Sequence, residues 1–158
     1  MLLDTGAQEG IIGLPELNAH AEALKPYNLK PIWLHRNESF TSGVGGRAKI
    51  VGVVRIPAGI AGNSTYVTMK VCESSTPPLL PMTLLQKYEA VINCRTNTVT
   101  WGDGTVSACR TLPSEHIAIN CMEFAKGKSY VVCHLPCYGP YYEQMGIQYK
   151  QVANITSY

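Results

Sequence analysis

The sequence predicts a mainly β fold with one or two short helices. Three observations predict it. Runs of β-branched residues recur at short spacing, most clearly at 48–56 and 65–71. Clusters of glycine, proline, serine and asparagine separate them, at 42–46, 57–63, 74–78 and 102–104. Only two stretches, 14–25 and 81–89, carry apolar residues at helical spacing.

Taken in order, the chain opens on Leu2-Leu3-Asp4-Thr5-Gly6-Ala7. With Gln8-Glu9-Gly10-Ile11-Ile12-Gly13 following, this reads as an apolar strand, a tight loop carrying one carboxylate, and a second strand. Gly6 is expected to turn the backbone where a Cβ would clash. The Thr5 hydroxyl is expected to tie the loop by hydrogen bonding. The apolar strand is expected to bury the loop, and burial raises a carboxylate's pKa. Residues 14–25 predict a helix: Pro15 suits its first turn, Glu16 suits the positive end of its dipole, and Leu17, Ala21 and Leu24 recur along it. Pro26 ends it, and His20 is expected on its solvated side.

A short strand is expected at 32–35. Ser42-Gly43-Val44-Gly45-Gly46 holds three glycines in four residues, which predicts a mobile or sharply bent hairpin tip. The strand at 48–56 is expected to break at Pro57, and 65–71 alternates like a half-buried strand. Leu79-Leu80 predicts a short strand and 81–89 a helix with Thr83 as its N-cap. Residues 91–94 and 98–101 predict a hairpin, with Asp103 in the glycine-flanked turn that follows, an ordinary place for aspartate. Beyond Thr105 the texture changes, and the only strands expected are 116–120 and 129–133. Residues 1–102 therefore read as the domain, and 103–158 as an extension of unknown role.

Composition excludes several function classes. The chain has 158 residues, 46% of them hydrophobic, which is one domain or one domain with a tail. Charged residues make up only 15%, and the net charge of +2 comes with no basic stripe, so no nucleic-acid partner is expected. The apolar runs are too short to cross a bilayer, so no membrane partner is expected. No signal peptide is legible, which favours an intracellular location. The six cysteines then read as reduced thiols. Sequons at Asn37, Asn63 and Asn154 matter only in a secreted protein. Cys121, Cys133, His134 and Cys137 are zinc-ligand types, but no paired half completes them, so neither metal nor cofactor is expected. Tyr138, Tyr141 and Tyr142 read as a packing surface rather than a base-stacking platform.

The carboxylate carries the chemistry. Hydrolysis of a peptide bond by carboxylates needs one ionised group to activate water and one protonated group to polarise the carbonyl. Two carboxylates about 3 Å apart share one proton, because both cannot ionise there, and they titrate as a pair. The chain holds only two aspartates, Asp4 and Asp103, and one Asp-Thr-Gly triplet. The simplest source of a second carboxylate is a second copy of the chain about a two-fold axis. A glycine-rich hairpin at 42–46 would then serve as a lid that excludes water.

Three motifs stand in a familiar order: Asp4-Thr5-Gly6-Ala7 after an apolar strand, then Gly43-Val44-Gly45-Gly46, then the strand–helix–hairpin element at 79–101. In this the sequence resembles the retropepsin-like aspartic proteases, of the retroviral, retrotransposon or ubiquitin-receptor (DNA-damage-inducible) types, over roughly 1–102. The resemblance implies a closed β-barrel-like homodimer and an aspartic endopeptidase acting on a peptide or polyprotein. Asp4 would be the catalytic residue of each chain, and Thr5, Gly6 and Ala7 its loop support. Ser42, Gly43, Val44, Gly45 and Gly46 would form the substrate-binding flap. The family carries a further strand before the loop where only three residues precede Asp4 here, so the resemblance implies an N-terminally truncated domain. Pro81 stands where the family places a glycine, and Gln8-Glu9-Gly10 where it favours small hydroxylated residues. The alternative is a retropepsin-like dimerisation or peptide-binding module without turnover.

Overall fold

The computed structural model describes residues 1–36, 39–43 and 46–125, with side chains described for these except at 40–43 and 46. The expected strand at 129–133, the three tyrosines, Asn37, Asn154, Val44, Gly45, Cys133, His134 and Cys137 lie outside the described residues.

The mainly β expectation holds. Among the described residues eleven strands join in one sheet: β1 Leu2–Asp4, β2 Gly10–Gly13, β3 Ile32–His35, β4 Ser39–Gly43, β5 Gly46–Ile60, β6 Asn63–Cys72, β7 Leu79–Pro81, β8 Val91–Asn93, β9 Thr98–Thr100, β10 Val106–Thr111 and β11 Ile117–Ile119. Two helices interrupt them, α1 Leu14–Leu24 and α2 Met82–Lys87. The strands run in the order β3-β5-β6-β2-β7-β1-β11-β10-β9-β8, with β4 on β5. This path does not return on itself, so among the described residues the sheet of one chain is open, not the closed barrel expected. Closure fails because the path ends on β3 and β8, which do not pair with each other.

The centre of the sheet is built from the apolar segments of the sequence. β7 lies between β1 and β2, parallel to β1 and antiparallel to β2. β2 runs parallel to β6. Strands this enclosed read as continuous apolar runs, as Leu2-Leu3 and Leu79-Leu80 do. Leu3, Ile12 and Leu80 meet Val54, Ile56, Val67, Met69 and Val71 in one core, which Leu84, Leu85 and Trp101 complete. A smaller cluster of Leu24, Leu29, Ile32 and Tyr66 lies under the end of α1 and β3.

Several expectations change. β5 does not break at Pro57 but runs through it, paired with Tyr66. The Gly59 N–H points away from β6 to the Cys121 carbonyl, 2.7 Å away. Two residues earlier, the Pro57 nitrogen faces the same outer side, so the ladder with β6 loses no bond. The β5–β6 turn is instead made at Ala61 and Gly62, both at positive φ (51° and 78°). His20 is not solvated: it is half-buried, its ring 3.4 Å from the Pro57 carbonyl oxygen. Thr83 is not the N-cap of α2, since that position falls on Pro81. No strand was expected at β10, yet it pairs with both β9 and β11, and β11 pairs with β1. The sheet thus continues past residue 102. A further stretch, 121–125, runs parallel beside β5 at Gly59, with Glu123 N–H on the Gly59 carbonyl at 2.9 Å.

Candidate active site

The loop after β1 is built by one side chain. Asp4 Oδ1 accepts hydrogen bonds from the Gly6 N–H at 2.9 Å and the Ala7 N–H at 3.1 Å. An aspartate closing its own loop in this way makes the turn without glycine's conformational freedom. Gly6 accordingly does not sit at positive φ, and a Cβ there would lie 3.4 Å from Asp4 Oδ1, an ordinary contact. The expected steric need for Gly6 is therefore absent within one chain. The loop is also less buried than expected. Asp4 is half-buried, and Thr5 and Gly6 are exposed, because β1 ends at Asp4 and no described strand lies over the tip.

Distant elements clamp the loop from below. β1 and β7 run in parallel register, Leu2 to Leu79, Leu3 to Leu80 and Asp4 to Pro81. Beyond that rung, the Met82 N–H donates to the Ala7 carbonyl at 2.9 Å, and the Thr83 hydroxyl donates to the Gln8 carbonyl at 3.1 Å. The start of α2 thus places one free backbone N–H and one hydroxyl on the carboxylate loop. Pro81 fits this corner in an extended conformation, φ −78° and ψ 160°.

The glycine-rich stretch forms the hairpin expected of it. Ser42 pairs with Arg47 and Gly43 with Gly46, the last rung among the described residues. β3 pairs with β5 only at Val53 to Arg55, and the last rung of β6 joins Cys72 to Ile50. Residues 39–43 and 46–48 therefore project from the sheet as a two-stranded ribbon. The structure brings Thr5, Gly6 and Ala7 to Asp4. Among the described residues β4 pairs with β5 and with no other strand.

A cleft of about 700 Å³ opens beside the second half of the carboxylate loop. Gln8, Glu9 and Gly10 form one wall, Pro81, Thr83 and Leu84 another, and His35, Val53, Thr68 and Lys70 the sheet side. Glu9, just before β2, and Lys70, on the neighbouring β6, form an ion pair. Asp4 is not on its wall. Sequence reasoning missed the sheet side of this cleft, and it missed Arg55, a cation within a β-branched run that is only 3% exposed and does not line the cleft.

The second aspartate plays the structural part expected of it. Asp103 accepts from the Thr105 N–H and hydroxyl and from the Asn63 amide, and these bonds, the hydroxyl's first, hold its pKa below the usual carboxylate range. Among the described residues no group of three or more histidine, cysteine or acidic side chains could hold a metal ion. Cys72, Cys94, Cys109 and Cys121 are free thiols. No helix among the described residues is long and apolar enough to cross a membrane.

No family model matches the sequence, and no curated protein matches it. Among solved structures, the chain is similar to the crystal structure of the retroviral protease-like domain of Ddi1 from Leishmania major. The identity is 23%, over 66% of this chain and 78% of that one, with a TM-score of 0.46.

Proposed function

We propose that this chain is one half of an aspartic endopeptidase, whose carboxylate pair forms when two copies associate. The observation that carries the reading is the Asp4 loop. One carboxylate stands at the end of a core strand, oriented by two backbone N–H groups and clamped through β7 and α2. Its flanking residues, Thr5 and Gly6, face outward. That is the arrangement expected of a group whose partner arrives from another molecule.

In this mechanism the two Asp4 side chains share one proton across the two-fold axis. The ionised member takes a proton from water as that water attacks the scissile carbonyl. The protonated member donates to the carbonyl oxygen, and the proton then passes to the leaving nitrogen as the C–N bond breaks. Thr5 and Gly6 form the contact between the two loops. The ribbon at 39–48 closes over an extended peptide, adding strand-like hydrogen bonds and excluding water.

The test is hydrolysis of a diverse peptide library at acidic pH by the chain and by Asp4→Asn. The substitution keeps the shape and removes the shared proton. A fall of about 10²–10⁴-fold in rate is expected, the range for general acid–base catalysis. Hydrolysis unchanged by Asp4→Asn would refute the protease and leave a peptide-binding or dimerisation module without turnover.

A further inference from the structure

Arg55 is 3% exposed, and its Nε and Nη2 are buried with no hydrogen-bond partner among the described residues. These two atoms form the side-on edge of the guanidinium, the edge that matches the two oxygens of a carboxylate. A guanidinium does not shed its proton, and a buried charge without a partner is strongly unfavourable. Among the described residues this cation therefore has no complement.

Across β5 and β6, Arg55 pairs with Thr68 and Val53 with Lys70. Cross-strand partners two residues apart share one face of a sheet. Val53, Thr68 and Lys70 line the 700 Å³ cleft, so Arg55 stands on the cleft's face of the sheet. Beside it, the Thr68 hydroxyl is likewise buried with no partner among the described residues. Among the described lining residues the only acid is Glu9, which is paired with Lys70. The cleft's one described acid is thus already paired, and the buried cation on the same face of the sheet has no carboxylate of its own among the described residues.

We propose that the Arg55 fork receives the carboxylate of an aspartate or glutamate side chain carried by an extended peptide in this cleft. The inference rests on the endopeptidase reading and specifies its substrate class, peptides with an acidic residue at one fixed position. Nε and Nη2 are closed to solvent in the unbound chain, so the carboxylate enters by displacing the side chains that cover them. The Thr68 hydroxyl supplies a further donor to the same anion.

The test uses binding to the Asp4→Asn chain, so it does not depend on turnover. The probes are fluorescent octapeptides of alternating valine and serine, with one glutamate walked through the positions, and the same set with glutamine. At one position the glutamate peptide is expected to bind about tenfold more tightly than its glutamine counterpart. Arg55→Met is expected to abolish that preference while the thermal midpoint holds or rises, since it removes a buried unpaired charge. A second measurement covers the case in which Arg55→Met fails to fold. In the Asp4→Asn chain with its arginine intact, the Arg55 Nε–H resonance is expected to shift on adding the preferred peptide. Equal binding of both peptide sets, no binding by either, or an unmoved resonance overturns the proposal. A resonance that follows protein concentration without peptide assigns the fork to a neighbouring copy and overturns it too. Cleavage that depends on Asp4 but ignores acidic residues would sink this inference alone, leaving the protease reading intact.

Discussion

Asp4 makes its own loop. Its Oδ1 satisfies two backbone donors, so the turn needs neither a positive-φ residue nor a missing Cβ. This separates two roles that one chain cannot separate by inspection of sequence. A glycine needed for folding would clash when substituted, and Gly6 does not. Gly6→Ala is therefore expected to change stability by less than about 0.5 kcal/mol, the ordinary range for an exposed site. The same change adds a methyl group where two loops are proposed to meet, so association and peptide cleavage are expected to fall together. Urea unfolding checks the first outcome, and sedimentation with a cleavage assay the second. Loss of stability without loss of association would place the glycine's role inside the chain.

At the scale of elements, α1 and β5 show how burial changes the behaviour of ordinary residues. Burial lowers the pKa of His20, opposed in part by the Pro57 carbonyl beside its ring. The folded chain thus prefers the neutral imidazole. The associated stability is complete above the unfolded value of about 6.5 and is lost as pH falls through the lower folded value. Replacing the ring with an apolar side chain removes that loss. The shift in urea midpoint between about pH 7.5 and 5.5 is expected to be smaller in His20→Leu than in the unchanged chain.

Gly59 tests the same element from its other side. A Cβ there would meet the backbone of Glu123 and Phe124, so the 121–125 stretch must move away. Gly59→Ala is expected to destabilise by about 1–3 kcal/mol, as overpacking does. Faster hydrogen exchange at the Glu123 amide, which bonds to the Gly59 carbonyl, is the local readout.

The periodicity that marks these elements was legible in the residues. Strand β3 falls at the expected 32–35, and α1 ends within one residue of expectation. β5 ran longer than expected because a proline facing the outside of a ladder removes no bond from it. β10 went unseen because Val106-Ser107-Ala108-Cys109-Arg110-Thr111 has little alternation of its own, and its two neighbours impose the strand.

For the whole molecule, the open sheet and the outward loop make the same demand. In the proposed dimer one chain supplies one carboxylate and one projecting ribbon. Activity is therefore expected to rise more steeply than linearly with chain concentration below the dissociation constant, and to become linear above it. Sedimentation measured over the same concentrations is expected to show the transition from one copy to two. A specific activity that stays constant while the chain remains a single copy would contradict the shared pair.

The sequence alone determined the local features: the carboxylate loop, the glycine hairpin, the first helix and the alternation of the long strands. These depend on neighbours a few residues apart, through turn chemistry and side-chain period. The tertiary structure decided what depends on distant partners. It placed β7 between β1 and β2, set Pro81 opposite Asp4, carried the sheet on through β10 and β11, and buried Arg55. No period in the chain encodes those pairings, because each joins segments separated by many residues through burial that only the assembled sheet creates.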